Sequence, residues 1–173
     1  MGKLLSGFGC VNPHWVLHIA NRPELEQFEL DDFRQLKTGE VKEVIASTSN
    51  HWRKVFSIVA KISFALFETG CETWQEYRDT HLLTDKGFEA ISYLPYKLEK
   101  NNKLLSIVCG FSYAETQLQL SQLVPHQAFP KLLALPGTNC FVTPYFDWRQ
   151  LNNEHLAVLI NMMENRLLTT AGN

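Results

Sequence analysis

The stretch LLSIVCGF, residues 104–111, is the clearest strand signal in the chain. It is apolar almost throughout, and it follows the polar connector KLEKNNK at residues 97–103. A continuous apolar run of this kind is typical of a parallel strand that is buried on both faces. The stretch therefore predicts the interior of a sheet in an α/β domain.

The segments on either side of this strand complete the predicted pattern. Further strands are predicted for WVLHIA (15–20), GFEAISYLPY (87–96) and CFVT (140–143), and helices for residues 48–68, 73–83, 112–124 and 152–168, with a surface helix and a second short element within 24–45. Because strands alternate with helices, we expect a single α/β domain over residues 1–173. We expect a three-layer α/β/α sandwich with a mostly parallel four-stranded central sheet, in which residues 104–110 and 139–143 are neighbouring interior strands.

Composition limits the classes of function. Hydrophobic residues make up 45% and charged residues 20% of the chain, which is ordinary for a globular protein. The formal net charge of -2 gives no overall attraction to nucleic acid, so any such contact needs a local basic face. No apolar stretch is long enough to span a bilayer, and the first residues lack a signal-peptide core, so we expect a cytoplasmic protein with no membrane partner.

The sequence contains no standard metal or nucleotide motif. The four cysteines, at positions 10, 71, 109 and 140, have no metal-knuckle spacing, and Cys109 and Cys140 lie in apolar runs that indicate core positions. We expect no cofactor and no metal site. His18 lies inside a predicted strand, where a core position is the favoured interpretation over a role in ligand binding.

Polar and aromatic side chains follow each predicted strand. They are Asn21, Arg22 and Pro23 after the first, Tyr96 and Lys97 after the second, Phe111, Ser112 and Tyr113 after the third, and Pro144, Tyr145, Asp147, Trp148 and Arg149 after the fourth. Ligands of parallel α/β sheets bind at the carboxyl ends of the strands, so these groups predict a site for a planar polar ligand. Turn formation and packing over the sheet edge are the alternative interpretation.

The start of the helix over residues 48–68 is a further candidate. Ser49 or Asn50 is a suitable N-cap, and His51 and Trp52 follow at once. A helix N-terminus favours anions through its free N–H groups, although a half-exposed capping role for His51 is the alternative.

The order of these pieces resembles the uracil-DNA glycosylase superfamily, especially its mismatch-specific thymine and uracil branch. In that family a strand leads into an Asn-Pro loop, as WVLHIANRPEL does here with Asn21 and Pro23 around Arg22. The stretches SNHWRKVFSIVA and LLSIVCGFSYAETQL are similar to the family's following pieces. CFVTPYFDWRQL occupies the place of its last loop, with Thr143-Pro144-Tyr145 where the family has His-Pro-Ser or Asn-Pro-Ser.

The resemblance extends over residues 14–168 and implies a functional residue for each piece. Asn21 would contact the base or a catalytic water, and Phe111 or Tyr113 would stack on the base. Trp148 or Arg149 would enter the groove of the nucleic acid. Arg22, Asn50, His51, Tyr145 and Asp147 would contribute to binding.

Three hypotheses follow for the function. We expect a protein that binds a nucleobase or nucleic acid at the carboxyl ends of the strands without established catalysis. An active DNA base-excision glycosylase is the first alternative, and a protein-interaction module is the second. A positive surface around the strand ends favours the enzyme, and a neutral, partly apolar surface favours a binding module.

Overall fold

The computed structural model describes residues 6–97 and 103–172. Its strands are β1 (Gly7–Gly9), β2 (Trp15–His18), β3 (Phe33–Arg34), β4 (Glu89–Ser92), β5 (Leu105–Cys109), β6 (Val124–Pro125), β7 (Leu133–Ala134) and β8 (Cys140–Thr143). Its α-helices are α1 (Glu40–Ser47), α2 (Asn50–Leu66), α3 (Trp74–Thr80), α4 (Phe111–Glu115) and α5 (Asn153–Ala171).

The eight strands form one mixed sheet in the order β3-β1-β4-β2-β5-β8-β7-β6. The four middle strands, β4, β2, β5 and β8, are parallel to their neighbours in this group. Antiparallel pairs flank them, β1 beside β4 and β7 beside β8. All four middle strands therefore present their carboxyl ends at one edge of the sheet.

The α/β class is confirmed, but the expected four-stranded, mostly parallel sheet is wrong. The four additional strands have only two or three residues each, so none carries an apolar run that a sequence pattern could detect. Each of them forms because its backbone N–H and C=O groups pair with those of a neighbouring strand. The predicted neighbours are confirmed, since β5 pairs with β8 with Ile107 opposite Phe141.

The two faces of the sheet are covered unequally. Ile107 and Phe141 point to the larger core cluster, which contains residues of α1, α2, α3 and α5. Val108 and Val142 point to the opposite face, where a smaller cluster includes Ala114 of α4. Most of the helical mass therefore lies on one face. The 17-residue helix α2 is central to that layer, with Phe56 fully buried.

The predicted helix that follows β5 is shorter than expected. The helix predicted for residues 112–124 is limited to α4, followed by a 3₁₀ turn at Leu120–Gln122. Here Leu118, Leu120 and Leu123 pack on the second face of the sheet, and the Gln117 side chain accepts a hydrogen bond from the Tyr96 N–H at 2.7 Å. Tertiary contacts thus override the helical pattern.

The segment 24–45 also differs from the expectation. It contains a 3₁₀ turn at Glu26–Phe28, strand β3 and only the first part of α1. The helices predicted for residues 48–68 and 152–168 are confirmed as α2 and α5, and Ser49 is the residue before α2.

Candidate functional site

A polar cleft of about 120 Å³ lies at the carboxyl end of β2. Its walls are Asn21, Arg22, Glu24, Thr48, Ser49, His51 and Trp52. After β2 the chain passes through Pro23, which has a fixed backbone φ angle and no N–H to donate, so the strand does not continue. The residues just before α2 and in its first turn form the facing wall of the cleft. The cleft thus joins two segments that the sequence analysis treated separately.

Two of the residues that line the cleft have side chains that are available for hydrogen bonds to a ligand. Neither the Asn21 amide nor the Ser49 hydroxyl has a hydrogen-bond partner among residues 6–97 and 103–172, and Asn21 is exposed. An amide provides two donors and a carbonyl acceptor, and a hydroxyl provides one donor and two acceptor lone pairs. The cleft therefore offers uncommitted hydrogen-bonding groups of both kinds.

Arg22 is largely committed to the protein itself. Its guanidinium forms an ion pair with Asp31 at 2.5 Å and lies 4.4 Å from the centre of the Tyr93 ring. It also donates to the carbonyl of Glu29 at 3.3 Å. These contacts tie the loop before β3 to the cleft, so Arg22 positions the wall more than it offers free donors.

His51 connects the cleft to the loop after β8. The Tyr145 hydroxyl and His51 Nε2 are 2.5 Å apart, and the two rings are stacked with centroids 5.0 Å apart. Burial, and then the nearby Lys54 cation, lower the pKa of His51, so the imidazole is neutral at pH 7. Burial raises the pKa of Tyr145, which keeps its hydroxyl protonated. The pair is therefore an uncharged aromatic wall.

A second link from α2 to the same loop is an ion pair. Lys54 Nζ lies 2.8 Å from Asp147 Oδ2. The hydrogen bond from Lys54, followed by that from the Arg149 N–H, lowers the pKa of Asp147. Next to this pair the Trp148 ring is 58% exposed, and Lys54 and Arg149 lie 5.9 and 5.7 Å from its centre. An exposed aromatic face with two cations is thus fixed beside α2.

The sequence-predicted residues fall into three groups. Asn21, Arg22 and His51 share the cleft, and Tyr145 contacts it through His51. Asp147, Trp148 and Arg149 lie in the loop after β8, beside Lys54 of α2, and are not among the residues that line the cleft.

The remaining three residues do not line the cleft. Phe111 and Tyr113 pack against the second face of the sheet, and the Tyr113 hydroxyl donates to the Tyr93 carbonyl at 3.3 Å. Asn50 is the exposed first residue of α2. The structure therefore does not bring these residues to the cleft.

Sequence reasoning missed Glu24, Thr48 and Lys54 as neighbours of the site. Glu24 directly follows Pro23, and Lys54 lies one helical turn after His51, so their positions in the sequence held a usable signal. Thr48 directly precedes the N-cap candidate Ser49, so its position held a similar signal.

A separate apolar pocket of about 260 Å³ lies beyond β8, near the start of α5. It is lined by Phe129, Pro130, Lys131, Leu132, Pro144, Gln150, Leu151 and His155. The loop after β8 thus has the polar cleft on one side, through Tyr145, and this pocket on the other, through Pro144. No sequence pattern indicated the pocket, because its walls come from the segments 129–132 and 144–155, which are brought together only by the fold.

The described residues include neither a metal-ligand cluster nor a membrane-spanning helix. No group of three or more His, Cys, Asp or Glu side chains within residues 6–97 and 103–172 could hold a metal ion. Over the same ranges, none of the helices has the length and apolar character needed to cross a membrane.

These features define an α/β protein with a polar cleft and an apolar pocket near the carboxyl edge of a mixed sheet. The chain belongs to DUF6942, a family of unknown function whose model matches residues 6–164. No curated protein and no solved structure matches the chain.

Proposed function

We propose that the polar cleft binds a nucleobase, either free or within a nucleic-acid strand. The main support for this proposal is that Asn21, Ser49 and His51 line one cleft at the carboxyl edge of the sheet, and that the Asn21 amide has no hydrogen-bond partner among the described residues. An amide has the donor and acceptor pair needed to hydrogen-bond to the edge of a base. The resemblance of Asn21-Arg22-Pro23 to the Asn-Pro loop of uracil-DNA glycosylases supports the same assignment.

The size and walls of the cleft favour a small planar ligand. Its volume of about 120 Å³ is well below the roughly 300–1,000 Å³ of pockets for drug-sized ligands. His51 and Trp52 add aromatic surface to the polar groups. A single base ring combines a planar face with polar edges, so it suits these walls better than a flexible chain does.

Side chains next to the cleft suit a base that is part of a nucleic-acid strand. Trp148 offers an exposed ring on which a neighbouring base could stack, with Arg149 beside it. Arg53 on α2 is exposed and has no ion-pair partner among the described residues. The whole chain has a net charge of -2, so its overall charge does not attract nucleic acid. Contacts to phosphate groups would come from Arg53 and Arg149.

Binding is tested with Asn21→Ala. We expect the wild-type protein to bind labelled single-stranded oligonucleotides in fluorescence anisotropy at low salt, and Asn21→Ala to weaken binding about tenfold, because one hydrogen-bonding group to the base is lost. Asn12→Ala is the matched control, since Asn12 is an exposed asparagine just before β2, at the opposite end of that strand. Equal affinity of the two variants would contradict the proposal. If the wild type binds no oligonucleotide, a base within a nucleic-acid strand is excluded as the ligand, and titration with free uracil and adenine then tests the free base, where no binding would contradict the proposal.

Hydrolytic release of the base is a second candidate function. The observation that favours it is Glu24, a carboxylate that lines the same cleft as Asn21. A carboxylate can accept a proton from water while an amide holds that water in place. The water oxygen would bond to the sugar carbon as the bond from that carbon to the base breaks, and the base would leave as an anion that then takes up a proton.

Base release is tested separately from binding. We expect wild-type protein to release free base from oligonucleotides containing uracil or a mismatched thymine, detected by chromatography. Glu24→Gln should abolish release while retaining the affinity of the wild type, because the amide cannot take the proton. Glu26→Gln is the control, since Glu26 is exposed and outside the cleft. No release from any substrate would leave only the binding function.

A further inference from the structure

We propose that the apolar pocket beside α5 is a second binding site, for a small aromatic molecule that carries one carboxylate. This site is independent of the function proposed for the polar cleft. Its volume of about 260 Å³ approaches the lower end of the range for small-molecule pockets, about 300 Å³. Its composition, mainly apolar with a few polar groups, is also typical of such pockets.

The body of the ligand would lie on rigid apolar walls. Leu132 and Leu151 are buried at the base of the pocket, and Phe129 contributes a ring. Pro130 and Pro144 restrict the backbone of two walls. The Leu132 N–H donates to the Phe129 carbonyl at 2.9 Å, which holds this segment in a turn. The pocket is therefore formed before any ligand arrives.

The polar groups of the pocket are all neutral or basic. Lys131, Gln150 and His155 line it, and no acidic side chain does. Over residues 6–97 and 103–172, Lys131 forms no ion pair and the ring nitrogens of His155 form no hydrogen bond. The His155 ring meets Phe129 edge to face, with centroids 4.3 Å apart. Lys131 is exposed where it lines the pocket, so its ammonium group is solvated and unpaired there.

This combination specifies the charge of the ligand. A carboxylate next to an ammonium group gains Coulomb energy that a neutral group of the same shape does not. The 19-residue helix α5 begins at Asn153, and Glu154 in its first turn offsets the positive end of the helix dipole near His155, so the charge preference rests on Lys131. An aromatic body satisfies the apolar walls, and a single carboxylate satisfies Lys131.

The proposal is tested with three probes of nearly equal shape: phenylacetate, phenylacetamide and phenethylamine. We expect phenylacetate to bind about two- to fivefold more tightly than the amide, because Lys131 is exposed, and the amine to bind more weakly still, in calorimetry. Amide signals of residues 129–132 and 150–155 should shift in NMR spectra on addition of phenylacetate. Equal binding of all three probes, or shifts confined to other residues, would overturn the proposal.

Variants separate the charge from the shape of the pocket. Lys131→Gln should reduce phenylacetate affinity to that of phenylacetamide, whereas Lys42→Gln, at an exposed lysine on α1, should leave it unchanged. Gln150→Trp should block the pocket and abolish binding of all probes, with thermal melts confirming that each variant is folded. A preference for phenylacetate that survives Lys131→Gln would overturn the assigned role of Lys131.

Discussion

At the scale of single residues, Glu89 is the most unusual group in the core. It is fully buried, and its carboxyl group accepts hydrogen bonds from the Tyr77 hydroxyl and the Leu83 N–H, both at 2.7 Å, and from Ser63. Trp15 Nε1 donates to the Ser63 hydroxyl at 2.9 Å, so the network joins β2, α2, α3 and β4. Within residues 6–97 and 103–172, no Lys, Arg or His side chain hydrogen-bonds to this network.

The protonation of Glu89 links stability to pH. Burial raises the pKa of Glu89 above its ordinary value of 4.5. The folded protein therefore keeps this proton at pH values where the unfolded chain has lost it. It follows that the contribution of Glu89 to the free energy of unfolding is greatest below pH 4.5 and declines as pH rises toward the folded-state pKa.

We expect Glu89→Gln to remove this pH dependence, because the amide resembles the protonated acid and does not titrate. Urea melts of wild type and variant over pH 4 to 8 should give a difference in unfolding free energy that shifts in favour of the variant as pH rises. Glu164→Gln, at an exposed position well inside α5, is the control and should leave the profile unchanged. Parallel profiles for wild type and Glu89→Gln would contradict this account.

At the scale of elements, β1 shows how a strand can form without a strand-like sequence. It contains only Gly7, Phe8 and Gly9, and it pairs with β4 on one side and β3 on the other. Gly7 has φ of +139°, and a Cβ atom there would lie 2.1 Å from the Ile91 carbonyl oxygen. The close approach of two backbones, rather than strand propensity, therefore determines the residues of β1.

We expect Gly7→Ala to destabilise the protein by roughly 2–5 kcal/mol, the sum of the positive-φ cost and the cost of overpacking. Gly39→Ala is the matched control, because Gly39 also has a positive φ, +93°, but has nothing within 4 Å of an added Cβ. It should cost only about 1–2 kcal/mol. Thermal or urea melts measure both values, and an equal loss in the two variants would show that the contact with β4 is unimportant.

The elements also show what the sequence could predict. LLSIVCG and CFVT carry continuous apolar runs, so their pairing as interior strands was predictable from hydrophobicity alone. The contact of Tyr145 with His51 was not, because those residues are far apart in sequence and only the packing of α2 brings them together. Asn21 could be predicted as a binding residue because it follows a strand. No motif or hydrophobic pattern in the sequence predicted the pocket around Leu132 and Leu151.

At the scale of the whole molecule, the parallel middle of the sheet determines where the candidate sites lie. The carboxyl ends of β2 and β8 are at the same edge, and the polar cleft and the apolar pocket lie beside them. The flanking antiparallel strands extend the sheet without interrupting this edge. The one-sided helical layer then brings the start of α2 to the cleft and the start of α5 to the pocket.

The ends of the sheet have a consequence for behaviour at high protein concentration. The outermost strands, β3 and β6, have two residues each, and β6 contains Pro125, which has no N–H to donate. At the other border, the side chain of Arg34 on β3 is ion-paired with Glu40. Strands this short give an incoming chain few backbone groups to pair with, so fibril growth by strand addition has little template on the folded protein.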